Sequence, residues 1–150
     1  MDAHTVDFLL RAKRATYAGH GAEAAKPSRP ASHDLRYAEG ELAYYDTYLG
    51  GERFAGQEAL WKDGVPFWAM NYCGRVLSAD PGGFSGDFLK AALAAVPREA
   101  PFRGPETYRD GPFAYFCRVE GDAEWFMGRE RIEKNGALVY ECMFHGGSVL

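Results

Sequence analysis

Five polar residues stand out in strand-like segments that are otherwise apolar: Asp46, Asn71, Arg75, Glu141 and His145. A carboxylate and an imidazole within reach of each other can pass protons to and from a bound molecule, and an arginine beside them can hold an acceptor group. Successive side chains of a strand point to opposite faces. On that rule Asn71 shares a face with Phe67, Ala69, Cys73 and Arg75, and Glu141 shares one with Val139, Met143 and His145. Tyr44, Asp46 and Tyr48 share a face of a third strand. If the five polar groups converge, with Tyr44, Tyr48 and Trp61 as apolar wall, they make a ligand site, because pockets combine an apolar lining with a few placed polar groups. Each residue also has a plain structural reading. Arg75 can pair with Glu141 or Asp46, and His145 can lie on the surface of an edge strand.

What is missing narrows the chemistry. The chain has no G-x-G-x-x-G, no Walker loop, no G-x-S-x-G and no H-E-x-x-H, so no nucleotide-loop, serine-hydrolase or zincin mechanism is indicated. Cys73, Cys117 and Cys142 are odd in number and show no C-x-x-C spacing. They read as free buried thiols in a reducing compartment rather than as a disulfide framework or a zinc site. No cofactor and no metal is expected. The net charge of −4 and the lack of a basic stripe argue against direct nucleic-acid binding. The nearest candidate, Arg11, Lys13 and Arg14, reads as a solvated helix face. No apolar run approaches 18 residues and the start does not resemble a signal peptide, so the expectation is a cytoplasmic chain off the membrane.

These residues need a scaffold, and 150 residues suffice for a single domain with a sizeable core. Helical spacing of Val6, Leu9, Leu10, Lys13 and Tyr17 predicts a helix over Thr5–Tyr17 with Thr5 as its cap. A loop follows to about Leu35. Strands are predicted over Leu42–Leu49, Phe54–Trp61 and Pro66–Leu77, the last two joined at Asp63-Gly64. A second helix, Ser85–Val96, is capped by Ser85 and stopped by Pro97. Three more strands, Phe113–Val119, Glu124–Glu133 and Ala137–His145, follow, with Asn135-Gly136 as hairpin turn.

The order α-β-β-β thus occurs twice, in units of about 1–80 and 81–150. Asp7-Phe8-Leu9 recurs as Asp87-Phe88-Leu89, Tyr44 as Tyr115, and Gly56, Glu58, Lys62 and Gly64 as Gly128, Glu130, Lys134 and Gly136. The fold class is α+β, an internally duplicated α-β-β-β unit (αβββαβββ) with antiparallel sheets packed on two helices, GyrI-like in its cyclic order of elements. Neither unit can bury its apolar face alone, so the two pack together. Glu58 and Glu130, recurring in both units, read as structural. Asp46 instead meets Cys117 in this alignment, and Asn71, Arg75, Glu141 and His145 likewise meet small or apolar residues. Positions that the repeat leaves over point either to a single asymmetric ligand or to one sheet face being more exposed than the other.

Several strings are specific: Arg14-Ala15-Thr16-Tyr17-Ala18-Gly19, Ser32-His33-Asp34-Leu35-Arg36-Tyr37, Asp46-Thr47-Tyr48-Leu49-Gly50-Gly51, Arg103-Gly104-Pro105 and Phe144-His145-Gly146-Gly147. They resemble a bacterial family that carries only a domain-of-unknown-function label. Its members occur alone or C-terminal to a Cro-type (XRE) helix-turn-helix. The resemblance implies an effector-sensing domain and brings no catalytic residues with it. The expectation is therefore a small-molecule-binding domain, as monomer or homodimer, with an aromatic-lined pocket between the repeats. The rival is a small cofactor-free hydrolase or isomerase using Asp46 or Glu141 with His145.

Overall fold

A computed structural model describes residues 1–149 of the chain. Helix α1 spans Ala3–Ala15, and four strands follow: β1 (His33–Glu39), β2 (Leu42–Gly50), β3 (Arg53–Lys62) and β4 (Val65–Val76). Helix α2 (Gly86–Ala94) opens the second half, followed by β5 (Thr107–Asp110), β6 (Phe113–Gly121), β7 (Trp125–Lys134) and β8 (Ala137–Ser148). All pairings are antiparallel, and the strands form one sheet in the order β1-β2-β3-β4-β8-β7-β6-β5. Each half is a meander, and the halves join along β4 and β8. At that seam Tyr72 stands opposite Phe144, with Met70 opposite Gly146 and Gly74 opposite Cys142 stepping away evenly on either side.

The elements follow from local chemistry. Asp63-Gly64 and Asn135-Gly136 each place both central residues at positive φ (50° and 80°, 50° and 82°), the backbone that matches the twist of a two-residue hairpin. Ser85 caps α2 by accepting from the Phe88 amide at 3.1 Å. The first helix is corrected: Asp2, not Thr5, is its cap, accepting from the Thr5 amide at 2.8 Å. A carboxylate there satisfies an orphan N–H and meets the positive end of the helix dipole. The count of strands is corrected too, from three to four per half and from separate sheets to one. The added strands, β1 and β5, are the two edges of the sheet. β5 is only four residues long, and β1 carries four charged or imidazole side chains in seven residues, so neither shows a clean alternation.

Both helices lie on one face of the sheet, where a single core joins Phe8, Leu9, Phe88 and Leu89 to Leu60, Trp68, Tyr115 and Tyr140. As the alternation predicted, Trp68, Met70, Tyr72, Tyr140, Cys142 and Phe144 are buried. Among the described residues the opposite face carries no helix, and Cys73, Met143 and His145 are exposed on it. Cys73 thus departs from the buried-thiol reading, while Cys117 and Cys142 are buried; all three are free.

Candidate functional site

Between the helices and the inner face of β2–β4 lies a cavity of about 260 Å³. Tyr44, Asp46 and Tyr48 of β2 and Glu58 and Tyr72 of β3 and β4 line its sheet side. Lys13, Tyr17, Leu89 and Leu93 line its helix side, and Phe102, Arg103 and Tyr140 line it as well. The cavity exists because the two helix-to-strand loops behave differently. In the second, Pro101–Gly104 is buried, with Phe102 stacked on Phe126 at 4.0 Å between centroids. The first loop, residues 20–32, is mostly exposed. Asp34 ties it outside the core by accepting from the Ser28 amide (2.6 Å), Ser32 Oγ (2.8 Å) and Thr47 Oγ1 (2.9 Å). Burial alone would push that carboxyl up; these donors outweigh it and hold it well below the usual carboxylate range.

Five charged side chains are buried together beside the cavity: Lys13, Asp46, Glu58, Arg103 and Glu130. Glu130 is fully sealed, at 0 % exposure. Arg103 grips it in a fork, Nη2 to Oε1 at 2.6 Å and Nε to Oε2 at 3.2 Å. Tyr115 and Tyr140 donate to the same carboxylate at 2.6 and 2.8 Å. Burial disfavours its charge, but Arg103 and the two phenols prevail and keep Glu130 below its ordinary value. Glu58 is paired with Lys13, whose Nζ also donates to the Phe102 carbonyl at 2.7 Å. Arg103 Nη1 lies 3.7 Å from Glu58 Oε1 and so links the two acids.

Asp46 differs. Its one protein donor among the described residues is the Tyr72 hydroxyl, at 2.6 Å from Oδ1. Gly56 makes that bond feasible, since a Cβ there would collide with the Tyr72 phenol and with Tyr48 Cβ. Oδ2 has no protein donor, yet no sealed side-chain atom among the described residues lacks a partner; Oδ2 therefore opens on the cavity it lines. Burial first, and the neighbouring Glu58 charge second, push the Asp46 carboxyl up to about 7. Near neutral pH it can therefore give or take a proton. Around it stand aromatic rings, with Tyr17 edge-on to Tyr48 at 6.1 Å, His33 stacked on Tyr48 at 4.7 Å and Phe54 beside Tyr72 at 6.1 Å.

Of the eight residues expected at the site, the structure brings together Tyr44, Asp46 and Tyr48. It does not bring the other five to them. Asn71, Arg75, Glu141 and His145 lie on the outer sheet face: Arg75 and Glu141 form a surface ion pair at 2.6 Å, Asn71 accepts from Gln57 at 2.9 Å, and His145 is exposed. Trp61 packs edge-on against Tyr45 at 4.9 Å, on that same outer side. The leftover polar positions divide between the two faces: Asp46 shares the inner face with Tyr72, whereas alternation turns Asn71 and Arg75 outward. Lys13 and Arg103 were missed as site residues. Lys13 belongs to the apolar stripe of α1 rather than to its solvated face, and that spacing was its signal. Arg103 sits in a loop, where no periodicity marks an inward side chain. Among the described residues no group of His, Cys, Asp and Glu is placed to hold a metal ion, and no helix is long and apolar enough to cross a membrane.

Neither the curated proteins nor the solved structures gave a match to this chain. A family does match, over residues 46–149, a stretch that takes in Asp46, Glu58, Arg103 and Glu130 and leaves Lys13 outside. The chain belongs to the family described as a domain of unknown function, DUF5680.

Proposed function

We propose that this chain is a small-molecule-binding domain of the effector-sensing type, its ligand held in the cavity between the helices and β2–β4. The observation that carries the reading is an aromatic-walled cavity with one carboxylate oxygen left open to it. Binding sites are concave, mostly apolar and oriented by a few polar groups. At about 260 Å³ the cavity lies just under the usual range of about 300–1,000 Å³ for drug-sized ligands, so its occupant is smaller than a drug. The mirrored strand order and the even register about Tyr72 and Phe144 support an internal duplication, and with it a GyrI-like arrangement. The resemblance to a bacterial family whose members occur alone or C-terminal to XRE helix-turn-helix modules supports a sensing role. Three free thiols fit the reducing cytoplasm.

The test is a fragment screen by NMR. Small aromatic compounds should shift the amides of Tyr48, Gly50, Gly51 and Phe54. Compounds that shift only the outer face around Met143 and His145, or a library that shifts nothing, would refute the reading. One feature favours the second reading, a cofactor-free hydrolase or isomerase: burial and the Glu58 charge push the Asp46 carboxyl up to about 7, close to where a general base works best. In that case compounds that bind would also be converted, and Asp46→Asn would abolish conversion.

A further inference from the structure

The charges of the buried cluster do not balance. Among the described residues it holds three carboxylates, Asp46, Glu58 and Glu130, against two cations, Lys13 and Arg103. Both cations are committed. Lys13 is spent on Glu58 and the Phe102 carbonyl, and Arg103 on Glu130, with its remaining reach toward Glu58. The surplus negative charge falls on Asp46, whose protein partner is a neutral phenol. A poorly hydrated carboxylate with one donor is costly, so without a ligand Asp46 holds a proton below about pH 7. An incoming cation can take that proton's place.

The wall suits such an occupant. Eight of the twenty lining residues are Tyr or Phe, including Tyr17, Tyr44, Tyr48 and Tyr72 around Asp46. Ring faces attract a desolvated cation. An anion would meet Asp46 and Glu58, and the cationic group left to receive it among the described residues, Arg103 Nη1, already lies 3.7 Å from Glu58 Oε1. The geometry points to an organic cation as the ligand of this cavity, its positive nitrogen group set against Asp46 Oδ2 and enclosed by the tyrosine and phenylalanine rings. This rests on the binding reading above and narrows it to a chemical class. Binding is then an exchange in which Asp46 loses its proton to solvent as the cation arrives. The groups that face Asp46 and set that exchange are Lys13 and Tyr17 from α1 and the turn after it, Tyr44 on its own strand, Glu58 on β3, Tyr72 on β4 and Arg103 from the second loop.

The experiment is calorimetric titration with three probes of similar size: benzyltrimethylammonium, benzyl alcohol and benzoate. The cation should bind at least about tenfold more tightly than either of the others. Titrations at pH 6 in two buffers of different ionisation enthalpy should show net proton release on binding the cation and none on binding the alcohol. Asp46→Asn keeps an acceptor for Tyr72, so it should fold and lose the preference for the cation. Equal or better binding of the alcohol or benzoate, cation binding without proton release, or an unchanged preference in Asp46→Asn would overturn the inference. Failure of all three probes would overturn it as well. The two readings stay distinguishable: neutral or anionic fragments that shift cavity amides would leave the binding reading standing with the cation class refuted.

Discussion

The two buried acid sites, one in each half, start from equivalent glutamates and end differently. Glu130 receives an arginine fork and two phenols and has no exposed surface. Glu58 has Lys13 and the edge of the same arginine, with a second acid, Asp46, beside it that only Tyr72 serves. The difference traces to the loops. The one before β5 drives Phe102 and Arg103 into the interior and fills its half, whereas the longer one before β1 is held outside by Asp34 and leaves its half hollow. A saturated buried charge stabilises one packing; an unsaturated one beside a hollow is available to a ligand.

The largest expected effect breaks the saturated side. Glu130→Ala strands the Arg103 guanidinium in the core and should cost about 3–5 kcal/mol in urea denaturation. A loss under about 1 kcal/mol would mean that the nest is not a closed unit. Next comes the pH dependence of the open side. The folded Asp46 carboxyl, at about 7, lies above its ordinary 3.8, so its contribution is present below about pH 4 and is lost as pH rises through 7. Asp46→Asn should therefore match wild type near pH 4 and exceed it near pH 8 by up to roughly 4 kcal/mol, at about 1.4 kcal/mol for each pH unit between the two values. A wild-type-to-variant difference that stays flat with pH would contradict the open-site account.

Phenol deletions sharpen the contrast at lower cost. Tyr140→Phe removes a donor from an ionised, sealed acid and should cost about 1–3 kcal/mol. Tyr72→Phe takes a donor from a carboxyl that is protonated for much of the pH range, so the loss should be nearer about 1 kcal/mol. It should also move the Asp46 titration upward, as followed by carbon-detected NMR, because Tyr72 favours the charged form. Equal stability losses with no movement of the titration would erase the distinction between the sites. The smallest effect belongs to the outer face. Arg75→Ala, at an ion pair half open to water, should change stability by no more than about 0.5 kcal/mol and leave probe binding in the cavity untouched.

Much of the architecture was legible in the sequence for local reasons. Asp63-Gly64 and Asn135-Gly136 set two hairpins, because the residues at positive φ declare the turn. Ser85 and Pro97 bounded α2, and alternation along β4 and β8 identified the buried face from Trp68 to Phe144. The edge strands β1 and β5 escaped, since a half-solvated edge needs no strict pattern. Asp46, Tyr44 and Tyr48 were recoverable as an inward-facing group because alternation along one strand is a local property. Tertiary structure alone decided which of them share a space with Lys13 and Arg103. Lys13 is 90 residues from Arg103 in sequence, and they meet only because α1 and the second loop cover the same sheet face. It also decided that Arg75 and Glu141 spend their charges on each other in solvent, and that one loop fills its half while the other does not. Side-chain pattern fixes the face a residue points to; what stands opposite that face depends on how distant segments pack, and no spacing in the chain records it.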